Sequence, residues 1–276
     1  MQGRYPLLHY TTGSRELQSV SSRYLGEKKQ WKKLLDFIYQ DKQPVGWDTE
    51  FEGVDFDAGN NCVGTSRIDL WSIGLFTGEL HPRGYEIATG YVLPPESTEY
   101  FRGFLEDDSI IKPAHNSTVD VHTLYNAGVD VGGVVDTLHL TRFTFPGKFR
   151  YGLDALSKEF LDESKFMSFK DLVSVPAYVE KEVKVKRCIC GEEGCRKRKA
   201  VAATSHDKYI SLETITVESG TSSIPISTIR PGHVKWDDYV QYAGQDAVLA
   251  LELYSYTTAK LKKLNYENPF RFMQQI

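Results

Sequence analysis

The chain has 276 residues, of which 41% are hydrophobic and 25% are charged, and its formal net charge is −4. This length suits one sizeable domain, or a core domain that carries an insertion. The slight negative charge excludes a protein that binds nucleic acid through bulk positive charge alone, although an acidic site becomes compatible with phosphate once metal is bound. We find no signal-peptide pattern and no apolar run near the roughly 20 residues that cross a bilayer, and therefore expect a soluble cytoplasmic protein.

The first part of the chain predicts a helix followed by three strands. Residues 1–22 have no sustained period and are interpreted as an N-terminal arm. Apolar residues at helical spacing predict a helix over 24–39, and the alternating segment VGWDTEF predicts a strand over 45–51. Further strands over 68–76 and 85–93, joined by turns, indicate antiparallel neighbours in a mixed sheet.

The middle of the chain predicts shorter elements. Ser97 or Thr98 is placed to cap a short helix, and residues 110–114 predict a short strand. The apolar pattern that follows, closed by a glycine, predicts a helix of about three turns. Asn116 and Asp120 are four residues apart, so we expect them to share one face of that helix.

The last part of the chain combines regular helices with an irregular segment. Further helices are predicted over 136–143, 151–161 and 236–263. Residues 162–231 break this pattern and are interpreted as an insertion or subdomain. We therefore expect a core domain over 23–263, followed by a C-terminal tail over 264–276.

Carboxylates stand at the ends of several predicted elements. Asp48 and Glu50 are two residues apart on a strand, so both point to one face and repel each other unless a cation lies between them. Taken alone, this pair also fits a turn that starts at Asp48, with Glu50 on a solvated face. Asp120 and Asp246 add two acids, and Tyr242 shares a helix face with Asp246. Converging oxygen ligands select hard cations such as Mg²⁺ or Mn²⁺, and two such ions can promote phosphoryl transfer.

Three ordered motifs resemble those of the DEDD 3′→5′ exonucleases, in the subclass that carries tyrosine in its third motif. The motifs are Asp48-Thr49-Glu50, Asn116 with Asp120, and Tyr242-Ala243-Gly244-Gln245-Asp246. This subclass includes the proofreading domain of family A DNA polymerases and the RNase D group. The resemblance covers most of residues 44–161 and 234–258. It implies a ribonuclease H-like α/β fold, a mixed sheet flanked by helices, to which this chain adds a Cys-containing basic insertion.

The resemblance also implies roles for the acidic residues. Asp48, Glu50 and Asp246 would hold one Mg²⁺ or Mn²⁺ ion, and Asp48 would bridge to a second. Asp120 would hold the second ion chiefly through water. Tyr242 would orient the attacking water, helped by Glu50.

Three neighbouring residues have lesser parts in this interpretation. Asn116 would contact the terminal nucleotide or position nearby backbone. Asp136 is interpreted as a helix cap in preference to a group that supports the metal ligands. His115 is interpreted as a packed, hydrogen-bonded residue in preference to a general base.

The implied activity is metal-dependent hydrolysis of the 3′-terminal phosphodiester of DNA, with release of nucleoside 5′-monophosphates. Because no polymerase-sized segment is present, proofreading would need a separate DNA polymerase chain. RNA 3′-end processing, as in the RNase D group, is the alternative enzyme, and the lack of a helical RNA-binding domain after Lys263 favours DNA. A catalytically silent replisome-docking or nucleic-acid-binding module is the alternative of another class, and the intact acid set argues against it.

The predicted insertion contains two further candidate sites. Clustered thiols without a signal peptide favour a tetrahedral zinc site, and free thiols in a loop are the other interpretation. Its candidate ligands are Cys188, Cys190, Cys195 and His206. A basic run beside them suits contact with a phosphate backbone, and a solvated basic loop is the alternative. That run is Arg196, Lys197, Arg198 and Lys199.

Overall fold

Residues 22–52, 67–80, 85–188 and 208–264 are described by the computed structural model of the chain. The chain divides into two units. One comprises Met1–Leu172 and Ile226–Ile276, and the other comprises Val173–Pro225. Among the described residues, no helix is both long enough and apolar enough to span a bilayer.

The described residues form both strands and helices. The strands are β1 (Ser22–Tyr24), β2 (Gly46–Glu52), β3 (Arg67–Leu80), β4 (Glu86–Leu93), β5 (Lys112–Ala114), β6 (Val134–Asp136), β7 (Ser174–Cys188) and β8 (Lys208–Ser223). The helices are α1 (Lys28–Asp41), α2 (Arg102–Leu105), α3 (Thr118–Asn126), α4 (Thr137–Thr144), α5 (Leu153–Leu156), α6 (Phe169–Val173) and α7 (Trp236–Lys263). Short 3₁₀ turns occupy Pro95–Ser97 and Ile226–Thr228, and a π turn at Ser157–Leu161 continues α5.

A four-stranded mixed sheet forms the centre of the first unit, in the order β1-β4-β3-β2. The β2–β3 and β3–β4 pairs are antiparallel, as the strand–turn–strand pattern predicted, whereas β1 pairs with β4 in parallel. The short parallel pair β5–β6 adjoins this sheet, because the Val45 N–H donates to the Ile111 carbonyl at 2.9 Å. The ribonuclease H-like prediction of a mixed sheet flanked by helices is confirmed.

Alternation along β2 sends its two sets of side chains to different neighbours. Trp47 is fully buried in the core that includes Trp31 and Ile38 of α1. Asp48 is the register partner of Ser72, whose hydroxyl donates to the Ala243 carbonyl of α7 at 2.8 Å. The carboxylate face of β2 therefore faces α7, and the apolar face packs on α1.

A row of glycines brings the backbone of α7 directly onto the sheet. Gly46, Gly74 and Gly90 are register partners across β2, β3 and β4. A Cβ at Gly74 would lie 2.8 Å from the Ala247 carbonyl oxygen, and one at Gly90 would lie 2.7 Å from the Gly244 carbonyl oxygen. A Cβ at Gly46 would also collide with the Ala247 carbonyl. Only residues without a side chain permit this close approach, and it fixes the depth at which α7 lies.

The helix that contains Asp120 begins later than the sequence pattern predicted. Asn116 has φ of +58° and precedes the first helical residue, Thr118. The prediction that Asn116 and Asp120 share a helix face is therefore wrong. The physical reason is a turn held by Asp136, whose Oδ1 accepts from the Asn116 N–H at 3.0 Å.

The predicted cap at Ser97 or Thr98 is also wrong. The Ser97 hydroxyl donates to the Pro94 carbonyl at 2.6 Å and accepts from the Trp71 indole at 2.7 Å. The Thr98 hydroxyl bonds to the Pro95 carbonyl. Residue Phe101 precedes the first residue of α2 and makes no side-chain cap. Both hydroxyls are therefore occupied by the 3₁₀ turn and the core.

The second unit contains an antiparallel ribbon of β7 and β8. Their register runs from the Ser174–Ser223 pair to the Cys188–Lys208 pair, with one irregularity between Ala177 and Tyr178. The proposed limits of the insertion, 162–231, and of the core domain, 23–263, stay predictions, as do the arm and the tail.

Replacing Gly74 with alanine should displace α7 from the sheet. The new Cβ would meet the Ala247 carbonyl oxygen, and overpacking of this kind costs about 1–3 kcal/mol of unfolding free energy. We expect Gly74→Ala to lose that much stability in urea denaturation. Gly103→Ala is the matched control, because its nearest neighbour is the Tyr39 hydroxyl at 3.7 Å. Equal stability of the Gly74→Ala and native proteins would contradict the proposed close packing.

Candidate active site

Three carboxylates from two elements converge where α7 crosses β2. Asp48, Glu50 and Asp246 each offer an oxygen, and these three oxygens lie within 4.8 Å of one another. Asp48 and Glu50 come from one face of β2, and Asp246 comes from the middle of α7. The glycine row supplies the geometry, because it lets the helix backbone approach the strand that carries the other two acids.

These carboxylates are strongly perturbed by burial and by each other. Glu50 is 9% exposed and Asp246 is 8% exposed. Burial raises the pKa of Asp48 well above its ordinary value, and the charges of Asp120, Asp246 and Glu50 raise it further. Burial also raises the pKa of Glu50 and of Asp246. An arrangement that makes ionised carboxylates so unfavourable needs cationic compensation.

The donor set fits a hard divalent cation. Asp246 Oδ1 is buried and has no hydrogen-bond partner among the described residues, while its Oδ2 pairs with the Lys165 ammonium at 2.5 Å. Carboxylate oxygens are the ligands that Mg²⁺ and Mn²⁺ prefer. A buried oxygen without a partner, next to two more carboxylates, is a place where a cation would satisfy groups that the protein leaves unsatisfied.

Asp120 lies beside this cluster and is held by Thr49. Its Oδ1 accepts from the Thr49 hydroxyl at 2.6 Å and from the Thr49 N–H at 3.1 Å. Burial raises the pKa of Asp120 to about 6 against the opposing effect of those two hydrogen bonds. Thr49 therefore fixes the orientation of Asp120 from the strand that also carries Asp48 and Glu50.

Tyr242 stands one helical turn before Asp246 on α7. Burial raises the pKa of its phenol, and the charges of Glu50, Asp246 and Asp48 add to that shift. The phenol is therefore protonated at neutral pH and can donate a hydrogen bond. Its ring centre lies 5.4 Å from the Lys165 ammonium nitrogen.

Asp136 joins two helix starts next to the site. Its carboxylate accepts from the Leu138 N–H at 2.8 Å, which confirms the predicted cap of α4. It also accepts from the N–H groups of Asn116 and Ser117, both at 3.0 Å. Asn116 is exposed, so its side chain is presented to solvent from a turn whose backbone is fixed.

His115 is packed and hydrogen-bonded, as predicted. Its Nε2 lies 3.0 Å from the Tyr151 carbonyl and its Nδ1 lies 2.9 Å from the Thr137 hydroxyl. Burial lowers the pKa of His115 to about 4. Since a carbonyl can only accept, Nε2 is the donor of the neutral ring, and the ring orders the start of α4.

The candidate zinc ligands and the basic run are not described by the structure. Cys190, Cys195, His206 and the run from Arg196 to Lys199 lie outside the described residues. Cys188 ends β7, and its side chain is not described. The zinc site and the phosphate-contacting role of the basic run stay predictions.

Sequence reasoning missed Asp69, a further acidic residue near Glu50. A bulge places Asp69 as the extra residue of β3, since Glu50 pairs with Leu70 and the next residue pairs with Ile68. The Arg230 guanidinium donates to both Asp69 oxygens, at 2.6 and 3.1 Å, and the Tyr239 hydroxyl donates at 2.8 Å. Asp69 is thus an acid near the cluster that the protein itself compensates. A bulge leaves no periodic signal in the sequence, so this group could not be placed from it.

A comparison with known families gives a match over the first part of the chain. The model of the 3′-5′ exonuclease family matches residues 27–176, which is more than half of the chain. The chain belongs to the 3′-5′ exonuclease family. It is a DEDD-type hydrolytic exonuclease, as the sequence motifs implied. The matched range contains Asp48, Glu50 and Asp120, whereas Tyr242 and Asp246 lie beyond it. Asp246 joins the cluster through the packing of α7.

Solved structures give similarities that concern the fold alone. Brucella melitensis NrnC is 15% identical over 91% of this chain and 85% of its own, with a TM-score of 0.46. Escherichia coli RNase D is 15% identical over 92% of this chain and 50% of its own, with a TM-score of 0.49. The POL domain of Pol1 from M. smegmatis is 18% identical over 52% of this chain and 23% of its own, with a TM-score of 0.37. A comparison with curated proteins gives no match.

Thr49→Val should weaken the hold on Asp120 while preserving the strand. The change removes the donor at 2.6 Å, a net loss of about 1 kcal/mol, and raises the pKa of Asp120 because that bond lowers it. Because the role predicted for Asp120 requires its ionised form, we expect the acidic limb of the pH–rate profile to move to higher pH. Thr77→Val, which removes an exposed β3 hydroxyl bonded to the Ile87 carbonyl, should leave the profile unchanged. An unshifted profile in Thr49→Val would contradict this role for Thr49.

Proposed function

We propose that this chain is a metal-dependent exonuclease that removes the 3′-terminal nucleotide from single-stranded DNA or frayed primer ends as a nucleoside 5′-monophosphate. The observation that carries the proposal is the convergence of Asp48, Glu50 and Asp246 oxygens within 4.8 Å in a chain of the 3′-5′ exonuclease family. Asp120 and Tyr242 border the same cluster, Asp120 as a further carboxylate and Tyr242 as a hydrogen-bond donor.

The acids would divide between two divalent ions, Mg²⁺ or Mn²⁺. Asp48, Glu50 and Asp246 would hold one, and Asp48 with Asp120 would hold the other, with Asp120 acting chiefly through water. When bound, such ions lower the pKa of the attacking water and stabilise charge on the departing 3′ oxygen. Asp120 has one oxygen committed to Thr49, which suits an indirect ligand.

Tyr242 and Glu50 orient the attacking water. The Tyr242 phenol keeps its proton and donates, while the Glu50 carboxylate accepts, so that together they fix one oxygen lone pair toward phosphorus. Burial of the surrounding acids keeps bulk water from competing for these positions. Asn116, presented from its anchored turn, would contact the terminal nucleotide.

The acid cluster alone does not distinguish DNA from RNA. The acid cluster contacts phosphate and water, and those groups are common to DNA and RNA. E. coli RNase D is an exoribonuclease involved in structured RNA processing, and B. melitensis NrnC has a structure bound to pGG. RNA is therefore the competing substrate.

The biological setting that we propose is proofreading beside a separate DNA polymerase chain. We also propose a zinc site as a structural element of the insertion. Its ligands would be Cys188, Cys190, Cys195 and His206.

A time course on 5′-labelled single-stranded DNA and the matching RNA tests this proposal. With Mg²⁺ or Mn²⁺ we expect a ladder that shortens from the 3′ end of DNA, and none with EDTA. Asp246→Asn should abolish it, because the variant loses an ionised ligand while keeping its shape. Asp237→Asn, on the exposed first turn of the same helix, is the matched control. A ladder mainly on RNA would reassign the substrate, and no cleavage of either strand would refute the proposal.

Tyr242→Phe should separate water orientation from metal binding. Loss of the phenol proton donor removes one positioning contact and should lower kcat about 10²-fold, within the usual range for such groups. The dissociation constant for Mn²⁺ should stay unchanged, since the phenol is not proposed as a ligand. Tyr256→Phe is the control, because Tyr256 lies on the same helix as Tyr242 but its ring stacks on Phe160, with the ring centres 5.3 Å apart. Unchanged kcat in Tyr242→Phe would contradict the orienting role.

A further inference from the structure

A lysine side chain forms an ion pair with the acid cluster. The Lys165 ammonium lies 2.5 Å from Asp246 Oδ2. Its charge also opposes the raised pKa of Asp48 and of Glu50, so it acts on all three clustered carboxylates. The Lys165 side chain is 21% exposed.

The loop that carries Lys165 is fixed to the same helix as Asp246. Gln245 is 3% exposed, and its amide donates to the Ser164 carbonyl at 2.9 Å. The amide oxygen of Gln245 accepts from the Phe166 N–H. Gln245 therefore holds the residues on both sides of Lys165, and it is the immediate neighbour of Asp246 in the sequence.

Two further features fix the direction of this loop. Asp162 ends the π turn with φ of +65°, which turns the chain back toward α7. The Lys165 N–H then donates to Asp154 Oδ1 at 3.2 Å. The backbone of Lys165 is thus held from α5 and from α7, and its ammonium is presented to Asp246 by a defined loop.

The position of this ammonium conflicts with a divalent ion at Asp246. One oxygen of Asp246 is taken by Lys165, and the other is buried without a partner among the described residues. A divalent ion held by Asp48, Glu50 and Asp246 would carry two positive charges within the reach of the ammonium, and like charges at such distances repel strongly. The ion and the ammonium therefore compete for the same carboxylate.

We propose that Lys165 is a resident counter-ion of the acid cluster, which holds Asp246 in the metal-free enzyme and leaves it when a divalent ion binds. This rests on the metal site of the proposed function. Lys165 compensates carboxylates that would otherwise repel one another, so it keeps the empty cluster assembled. The same contact weakens metal binding, because each ion that binds must first displace the ammonium.

Lys165→Met tests the competition through metal affinity. We expect the Mn²⁺ dissociation constant, measured by calorimetry without nucleic acid, to fall about tenfold, and the melting temperature in EDTA to fall as well. Lys32→Met, which removes the same charge from an exposed position on α1, should change neither quantity. A variant with a damaged site would bind metal more weakly, so tighter binding cannot come from misfolding. Unchanged or weaker Mn²⁺ binding would overturn the proposal.

The native protein gives a second test that does not depend on a variant. Acetylation of lysine amines, quantified by peptide mass spectrometry, should label Lys165 slowly in EDTA and faster in saturating Mg²⁺, while Lys32 labels equally in both. Equal labelling of Lys165 with and without Mg²⁺ would refute displacement. Failure of the native protein to bind either ion would instead remove the metal site itself, and with it both proposals. Because the affinity and labelling measurements report metal binding and not catalysis, a loss of nuclease activity alone would not change their results.

Discussion

The close approach of α7 to the sheet is the constraint on which the rest of the molecule depends. Three glycines on adjacent strands remove the side chains that would otherwise separate the helix from the sheet, and the Ala247 and Gly244 carbonyls fill that space. Helix–sheet packing with side chains in between would place α7 farther away. At this depth Asp246 reaches the acids of β2, so the spacing of the acid cluster is set by glycines that carry no acid themselves.

The protein gathers acidic groups whose charges destabilise one another. Burial raises the pKa of Asp48, Glu50 and Asp246, and repulsion from neighbouring carboxylates raises that of Asp48 and Glu50 further. Beside them, Asp69 is compensated permanently by Arg230 and Tyr239. The contrast separates two kinds of acid: Asp69 has protein donors on both oxygens, whereas Asp246 keeps one buried oxygen without a partner among the described residues. A buried carboxylate oxygen without a hydrogen-bond donor is available to bind a cation. Its burial lowers the stability of the protein, and the surrounding fold must offset that loss.

Sequence reasoning could find the acids because they follow the periods of regular elements. Alternation along β2 and the four-residue spacing of Tyr242 and Asp246 on α7 are local properties, and α7 has the bounds that were predicted. The misplacement of Asn116 has a different cause. Its positive φ depends on Asp136, which is distant in sequence, so the local apolar pattern extended the helix too far. Lys165 was hidden for the same reason: a single lysine in an irregular segment has no signal until Gln245 brings its loop to Asp246.

The third motif therefore has a structural task in addition to its acid and its tyrosine. In the segment from Tyr242 to Asp246, Gly244 permits contact with the sheet, and Gln245 holds the loop of Lys165. The Ala243 carbonyl accepts from Ser72, which ties the helix to the register partner of Asp48. Five consecutive residues thus set the depth of the helix, the position of the loop that carries Lys165 and the acid itself. A helix supplies this combination because its successive residues point in different directions around one axis. The sheet, the loop and the acid cluster can then all be positioned from one rigid element.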